Sequence, residues 1–347
     1  MHSLFKLRGT ISSRQIWVLQ LLGLALFFIV WLVLTYGPDP MVAKGILPGP
    51  WRVLDAYSDL YRDNELVKKT FRSLGLNLAG YIEAIAFAVP LGFIIGLFPF
   101  FKGMLNRYVD AIRFIPLTAV TQLFILWFGI GISMKVNFLA FGIFIYLLPV
   151  VVQRVREVES VYVKTVYTLG ATDWQTIKTV FIPSVLSRLI GDIRVLTAIS
   201  WTYIIVAEGI ASQEGLGSMI FKVGQRQGRV DKVFAIILLI TVIGAIQDKL
   251  FTKLDKELFP YKFQENGHDE SSIESSLSSN ILSYFSKTFM IIILALYVIL
   301  ALNEYTGLLT SVNLLSYLFG ETLPAIHIIM LSIIIYEIRY WVKHRKK

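Results

Sequence analysis

The chain of 347 residues contains no cysteine. A disulfide framework is therefore excluded, and so is any thiolate metal site. Histidine is scarce. The four present, His2, His268, His327 and His344, are scattered and form no His-Glu-x-x-His pair, which argues against a metalloenzyme. No Gly-x-x-x-x-Gly-Lys-Ser/Thr loop occurs, so the chain has no visible means of cradling nucleotide phosphates, and no cofactor is expected. A Gly-x-Ser-x-Gly nucleophile elbow is also missing, leaving a membrane hydrolase without a nucleophile. Charge is low as well: Asp, Glu, Lys and Arg make up 16% of the residues.

What is abundant is apolar surface. Hydrophobic residues make up 55% of the chain, and the mean hydropathy is +0.65. A run of ~20 apolar residues spans a hydrocarbon layer roughly 30 Å thick. Eight such segments are expected, at Ile16–Tyr36, Leu76–Phe100, Tyr108–Phe128, Asn137–Val152, Leu189–Ile210, Val233–Gln247, Tyr284–Leu302 and Thr322–Ile338. The fourth and sixth are short, and the fifth carries Asp192 and Arg194 at one end. The first is too long for a cleaved signal peptide and lacks a small-residue cleavage site. The fold class is therefore all-α and polytopic.

Lys and Arg set the orientation. Lys6, Arg8 and Arg14 precede the first span, and Arg339, Lys343, Arg345, Lys346 and Lys347 close the chain, whereas the segment 303–321 has no basic residue. Both termini are thus expected in the cytoplasm. The stretch 37–75 then lies outside despite Lys44, Arg52, Arg62, Lys68, Lys69 and Arg72. Pro48 to Tyr61 reads as a proline-started amphipathic helix on that surface, with Trp51, Leu54, Tyr57 and Leu60 or Tyr61 on one face. The net charge of +9 is spread over many loops, so it is a topology signal and not a nucleic-acid patch. Lys222, Arg226, Arg229 and Lys232 hint at an anionic solute, or form an ordinary solvated loop.

Between the fourth and fifth spans lies a polar stretch, residues 155–188. Val158 to Leu169 can form a short helix, and Gly170 suits a left-handed helix end because it has no Cβ. Thr172 and Gln175 fit a capping box for a second helix, on which Trp174, Ile177 and Phe181 share a face. Pro183 is expected to end or kink it. Gly170 precedes Val180 by ten residues and Pro183 by thirteen. This spacing resembles the cytoplasmic loop of ATP-binding-cassette (ABC) importer permeases, written Glu-Ala-Ala, then a glycine, then Ile-x-Leu-Pro.

The resemblance runs from about Leu47 to Tyr261. It includes Ala88-Val89-Pro90-Leu91-Gly92, Arg113-Phe114-Ile115-Pro116, Leu126 to Gly131, Trp201 to Glu208, and Gly215-Leu216-Gly217. Asp231 to Phe234 and Asp248-Lys249-Leu250 flank the sixth span. Together these look like the type I, binding-protein-dependent subfamily for nitrate, sulfonates and taurine. One departure is clear: Lys164, Thr165 and Val166 stand where the family has Glu-Ala-Ala.

The resemblance implies a permease core of about six transmembrane helices in a bacterial inner (plasma) membrane, importing a small solute such as nitrate, a sulfonate, taurine or bicarbonate. ATP hydrolysis would belong to a separate ABC ATPase dimer, with an extracytoplasmic solute-binding protein and a second permease copy as further partners. Lys164, Thr165, Val166, Leu169, Gly170, Ala171, Trp174, Ile182 and Pro183 would form the ATPase-coupling loop. Thr197, Trp201 and Glu208 recur on one face of the fifth span and, with Gln122, are candidates for the translocation path. For Glu208 the alternative is a rim position, folding a loop or pairing with Arg226 or Arg229. For Gln122 it is an interhelical hydrogen bond, and Gly92 and Gly96 read as close helix packing. An ion-coupled secondary transporter is the alternative class. It needs intramembrane ion sites and usually an inverted repeat, and no internal repeat is evident.

Four parts follow. Residues 1–46 hold the first span, 47–263 the core, 264–280 a polar, serine-rich linker, and 281–347 a two-helix hairpin with a basic tail. The linker is too polar to pack, so the hairpin is expected to be separable from the core.

Overall fold

The computed structural model describes residues 12–37, 40–211, 214–263, 292–307 and 313–345. Among these residues there is no strand. Among the described residues six helices are long and apolar enough to cross a membrane, and a bent helix pair makes a seventh if it counts as one span. The chain divides into two compact units, residues 1–65 with 220–239, and residues 66–219 with 240–347.

In the first unit, α1 (Ser13–Thr35) starts with a capping box between Ser12 and Gln15. Its side chains are almost all exposed, as expected of a helix whose solvent is lipid. The proline-started helix is present as α2 (Pro50–Asp63), with Pro50 in its first turn. Val53, Ala56 and Leu60 are buried, while Trp51, Leu54 and Tyr61 are exposed. Both stripes are apolar, so periodicity alone did not decide between them. Tyr57 sits between the stripes and donates to the Ala235 carbonyl at 2.8 Å. Two of the four basic residues in the loop, Arg229 and Lys232, are pinned here. Arg229 bridges Asp59 and Asp231 at 2.9 and 2.7 Å, and Lys232 donates to Asn64 at 3.2 Å.

The second unit is built on α3 (Leu66–Leu97) lying against α6 (Ile132–Arg156). Glycine makes that approach possible. A Cβ on Gly92 would fall 2.5 Å from Val151, and one on Gly96 would fall 2.7 Å from Val155. These glycines serve close packing, as expected.

The third expected span is broken. Helices α4 (Pro99–Ile112) and α5 (Leu117–Phe128) meet at 106°. Pro116 lacks an amide hydrogen and disfavours a helical Ile115, so the chain must turn there. Leu117 and Phe124 of α5 pack with Met134, Phe138 and Ala207 in one core cluster.

After α6 come α7 (Ser160–Thr168), α8 (Asp173–Thr176), a π turn over Ile177–Phe181, and α9 (Ile182–Ala211). Pro183 neither ends the helix nor breaks it: Asp173–Ile210 forms one 38-residue span. In the π turn the Ile182 amide reaches back to the Ile177 carbonyl. That wider turn absorbs the bond the proline cannot make.

The charges in the first half of α9 are paired. Arg154 grips Asp192 through two bonds of 2.7 Å, and Arg194 meets Asp248 of α11 (Val230–Leu258) at 2.8 Å. Between α9 and α11 lies α10 (Leu216–Phe221). Observed helices overrun the expected spans because the apolar count stops at such residues, whereas the backbone does not.

The linker and the start of the seventh expected span lie outside the described residues. Of the hairpin, α12 (Ile292–Thr306), α13 (Leu314–Phe319) and α14 (Leu323–Arg345) are described. The expectation of a separable hairpin is corrected. Phe71 meets Phe319 edge to face, Arg72 donates to the Tyr317 carbonyl, and Gly75 leaves room for Phe319 and Thr322. Leu78 joins Tyr297, Leu315 and Ile326 in a shared core. The hairpin is packed onto the first half of α3.

Candidate functional site

The polar stretch folds as its sequence suggests. Gly170 adopts φ +80 after α7, and a Cβ there would strain the backbone although nothing crowds it. The Ala171 amide bonds to the Val166 carbonyl at 3.0 Å and the Gly170 amide to Tyr167 at 2.9 Å. This is a Schellman cap, which satisfies two orphan carbonyls. Thr172 and Gln175 close the expected capping box. Tyr167 also donates to Asp173 at 2.7 Å, clamping one helix to the next. That bond to the carboxylate raises the Tyr167 hydroxyl above its ordinary pKa.

So the turn is locked, yet its surface is uncovered. No residue of α7 is buried. Val161, Tyr162, Leu169 and Trp174 are all exposed, Leu169 at 81%. Lys164 and Thr165 are exposed, Val166 and Ala171 half-buried, and Ile182 and Pro183 lead into α9. Exposed apolar side chains gathered on a capped turn mark a surface that another protein or a membrane interface can cover.

At the opposite end of α9 the expected path residues do share a face, and it is turned inward. Glu208 is 1% exposed. It accepts from the Ser73 hydroxyl at 2.7 Å and from the Gly217 amide at 2.8 Å, while the Ser73 oxygen accepts from the Leu216 amide at 2.9 Å. The carboxylate thus ties the turn after α9 to α3. Only glycine fits beneath it, since a Cβ on Gly215 would lie 2.0 Å from Glu208. Of the two alternatives to a path role, loop folding describes this geometry. Arg229, for its part, is committed to Asp59 and Asp231. Trp201 is buried and donates to Gln247 at 2.6 Å, and Thr197 bonds within its own helix.

Gln122 differs. It is exposed on α5, beside exposed Leu123 and Leu126. An open apolar groove of about 600 Å³ lies near the same helix, lined by Phe87, Phe124, Trp127, Phe128 and Phe141, with Glu83 and Asn137 as its polar groups. Sequence reasoning missed Ser73, the partner of Glu208, because a serine in an apolar helix gives no signal of what it faces.

Six helices long and apolar enough to cross a membrane, one of them the 38-residue span that begins beside the exposed turn, define a polytopic membrane protein. The comparisons name the kind. The pattern of the binding-protein-dependent transport system inner membrane component family matches residues 88–259, and the chain belongs to that family. It is 27% identical over 254 residues to the taurine transport system permease protein TauC of Escherichia coli, covering 72% of this chain and 91% of the relative. It is 29% identical over 261 residues to the putative aliphatic sulfonates transport permease protein SsuC of Bacillus subtilis, covering 74% and 91%. Among solved structures, the inward-facing MetNI methionine ABC transporter shares the fold, with a TM-score of 0.51 at 16% identity over 56% of this chain and 95% of that one. The chain is the transmembrane permease of an ABC importer.

Proposed function

We propose that the turn around Gly170 docks a separate ATP-hydrolysing subunit, and that a pair of these permeases forms the gated path. The observation that carries this reading is the locked, uncovered surface of Val161, Tyr162, Leu169 and Trp174. Two capped helices held by a Schellman turn and a tyrosine–carboxylate bond keep their shape under load, so a push on them is transmitted rather than dissipated. Lys164, Thr165 and Val166, where the family pattern has Glu-Ala-Ala, replace an acid with an exposed cation, so the facing ATPase groove is expected to be acidic at that point.

The transported solute is a small anion or zwitterion of the sulfonate kind. Support comes from the relatives named for taurine and aliphatic sulfonates. A solute-binding protein delivers it from outside, and both termini face the cytoplasm. On the path we place Gln122 and the aromatic groove beside it. Thr197, Trp201 and Glu208 act from behind, by fixing the helices that form the wall. To test the reading, the permease is co-expressed with its ATPase and binding protein in proteoliposomes. ATPase activity should rise when loaded binding protein is added. An ATPase that neither co-purifies nor responds would overturn the assignment.

A further inference from the structure

The outward stripe of α2 is uncovered. Trp51, Leu54 and Tyr61 are 66%, 53% and 67% exposed. They fall at i, i+3 and i+10, with exposed Ser58 at i+7, so they line one side of the helix. The connection that leads into the helix adds Tyr36, Met41 and Ile46, all exposed. The inner stripe of α2 is already packed, so this apolar side is a second contact surface. The family pattern begins at residue 88, and α2 lies outside it.

Two membrane-crossing helices fix the level at which α2 lies. At its start, the Trp31 indole donates to the Pro48 carbonyl at 3.0 Å, and the Val42 amide donates to the Leu34 carbonyl at 3.1 Å. Trp31 and Leu34 belong to the last turns of α1, a span with 0% of its apolar window buried. Farther along, Tyr57, Asp59 and Asn64 bond to Ala235, Arg229 and Lys232, at the start of α11. The helix is thus tied near its start to the place where α1 leaves the hydrocarbon, and over its second half to the place where α11 enters it. It follows the membrane boundary instead of rising away from it. Its polar side carries Asp55, Arg62 and Asp63, all exposed and mixed in sign.

We infer that α2 is an interfacial helix whose Trp51, Leu54 and Tyr61 stripe is seated in the headgroup–acyl boundary of the bilayer. Tryptophan and tyrosine favour that depth, because each joins an apolar ring to a polar edge. A helix of this kind sinks its apolar side roughly 5–10 Å into the boundary and leaves its charges in water. The competing occupant is a soluble protein docking on the same face. The stripe offers such a partner no charge to read, and in sequence it is joined to the lipid-facing α1 by the exposed Tyr36, Met41 and Ile46. The inference does not rest on the coupling role of the Gly170 turn.

The lack of native cysteine allows single labels in the full-length protein. Leu54→Cys and Tyr61→Cys probe the stripe, and Asp55→Cys and Asp63→Cys probe the polar side. All four positions are exposed, so the labels leave the packed stripe intact. Each variant carries a nitroxide in nanodiscs of phosphatidylcholine, whose headgroup has no net charge. Electron paramagnetic resonance then reads the label's accessibility to oxygen and to a water-soluble nickel chelate. The oxygen-to-nickel ratio should be several-fold higher at the two stripe positions than at the two acids. Equal nickel access at all four would place the stripe in water and overturn the proposal. Stripe labels closed to both reagents, or closing when the loaded binding protein is added, would assign the stripe to a protein contact and overturn it equally.

Discussion

At the scale of the residue, two positions separate transmission from architecture. Gly170 holds φ +80 at an exposed turn, so Gly170→Asp costs on the order of 1 kcal/mol or more in backbone strain and sets a carboxylate on the docking face. The variant should insert normally, yet its ATPase should not respond to loaded binding protein in proteoliposomes. Wild-type stimulation would show that the turn is not the coupling element. Glu208 predicts the opposite profile. Glu208→Ala strands the Gly217 amide and the Ser73 hydroxyl, at about 1–3 kcal/mol for each buried group left unsatisfied. The detergent melting temperature should fall, while the KM for solute in the surviving protein stays unchanged. A shifted KM would return Glu208 to the path.

At the scale of the element, helix contacts and helix ends decide the outcome. Gly92→Ala gains helix propensity, but its new methyl would lie 2.5 Å from Val151, so overpacking should dominate at about 1–3 kcal/mol. Thermal unfolding in detergent would show the loss. A rise in stability would mean that α3 and α6 are free to separate. At the exit of α6, Glu157 accepts from Arg154, whose hydrogen bond holds the carboxyl below its ordinary range. Because the folded value is depressed, this contribution is present at neutral pH and is lost as pH falls through and below the carboxylate range. The staple is partly exposed, so the effect is small. Glu157→Gln should flatten the acid limb of the stability profile without changing the neutral value by more than a few tenths of a kcal/mol.

Much of this scale was legible in the sequence. Gly170 and the Thr172–Gln175 box follow from local chemistry, which needs no knowledge of what lies nearby. The break at Pro116 was missed because an apolar count does not weigh a single imide. The uninterrupted helix through Pro183 was missed for a related reason: a π turn repairs the missing bond and leaves no mark in composition. Ser73 and Glu208 are 135 positions apart, and nothing local to either one announces the other.

At the scale of the molecule, the hairpin is part of the unit that holds α3. Truncation after Gly267 uncovers Phe71, Gly75 and Leu78 and removes the carbonyl that Arg72 donates to. The shortened chain should melt several degrees lower in the same detergent. An unchanged melting temperature would show that lipid or detergent replaces the hairpin at no cost. The absence of native cysteine makes topology directly testable. Leu169 and Tyr305 are both highly exposed. A cysteine at Tyr305 should react with an impermeant maleimide applied outside whole cells, and one at Leu169 only after lysis. The reverse pattern would invert the orientation.

Under the proposed coupling role, the 38 residues from Asp173 to Ile210 would act as a lever arm. At about 1.5 Å per residue the arm is roughly 57 Å long, and a tilt of about 5° around its middle swings each tip by roughly 2–3 Å in opposite directions. Trp174 rides one tip and the Glu208 clamp the other. Torque applied at the first would reach the second within the same stroke, along one continuous helical span. Between them lies the five-residue π turn, close to the Trp174 tip, where any slack would cost the least travel at the far end.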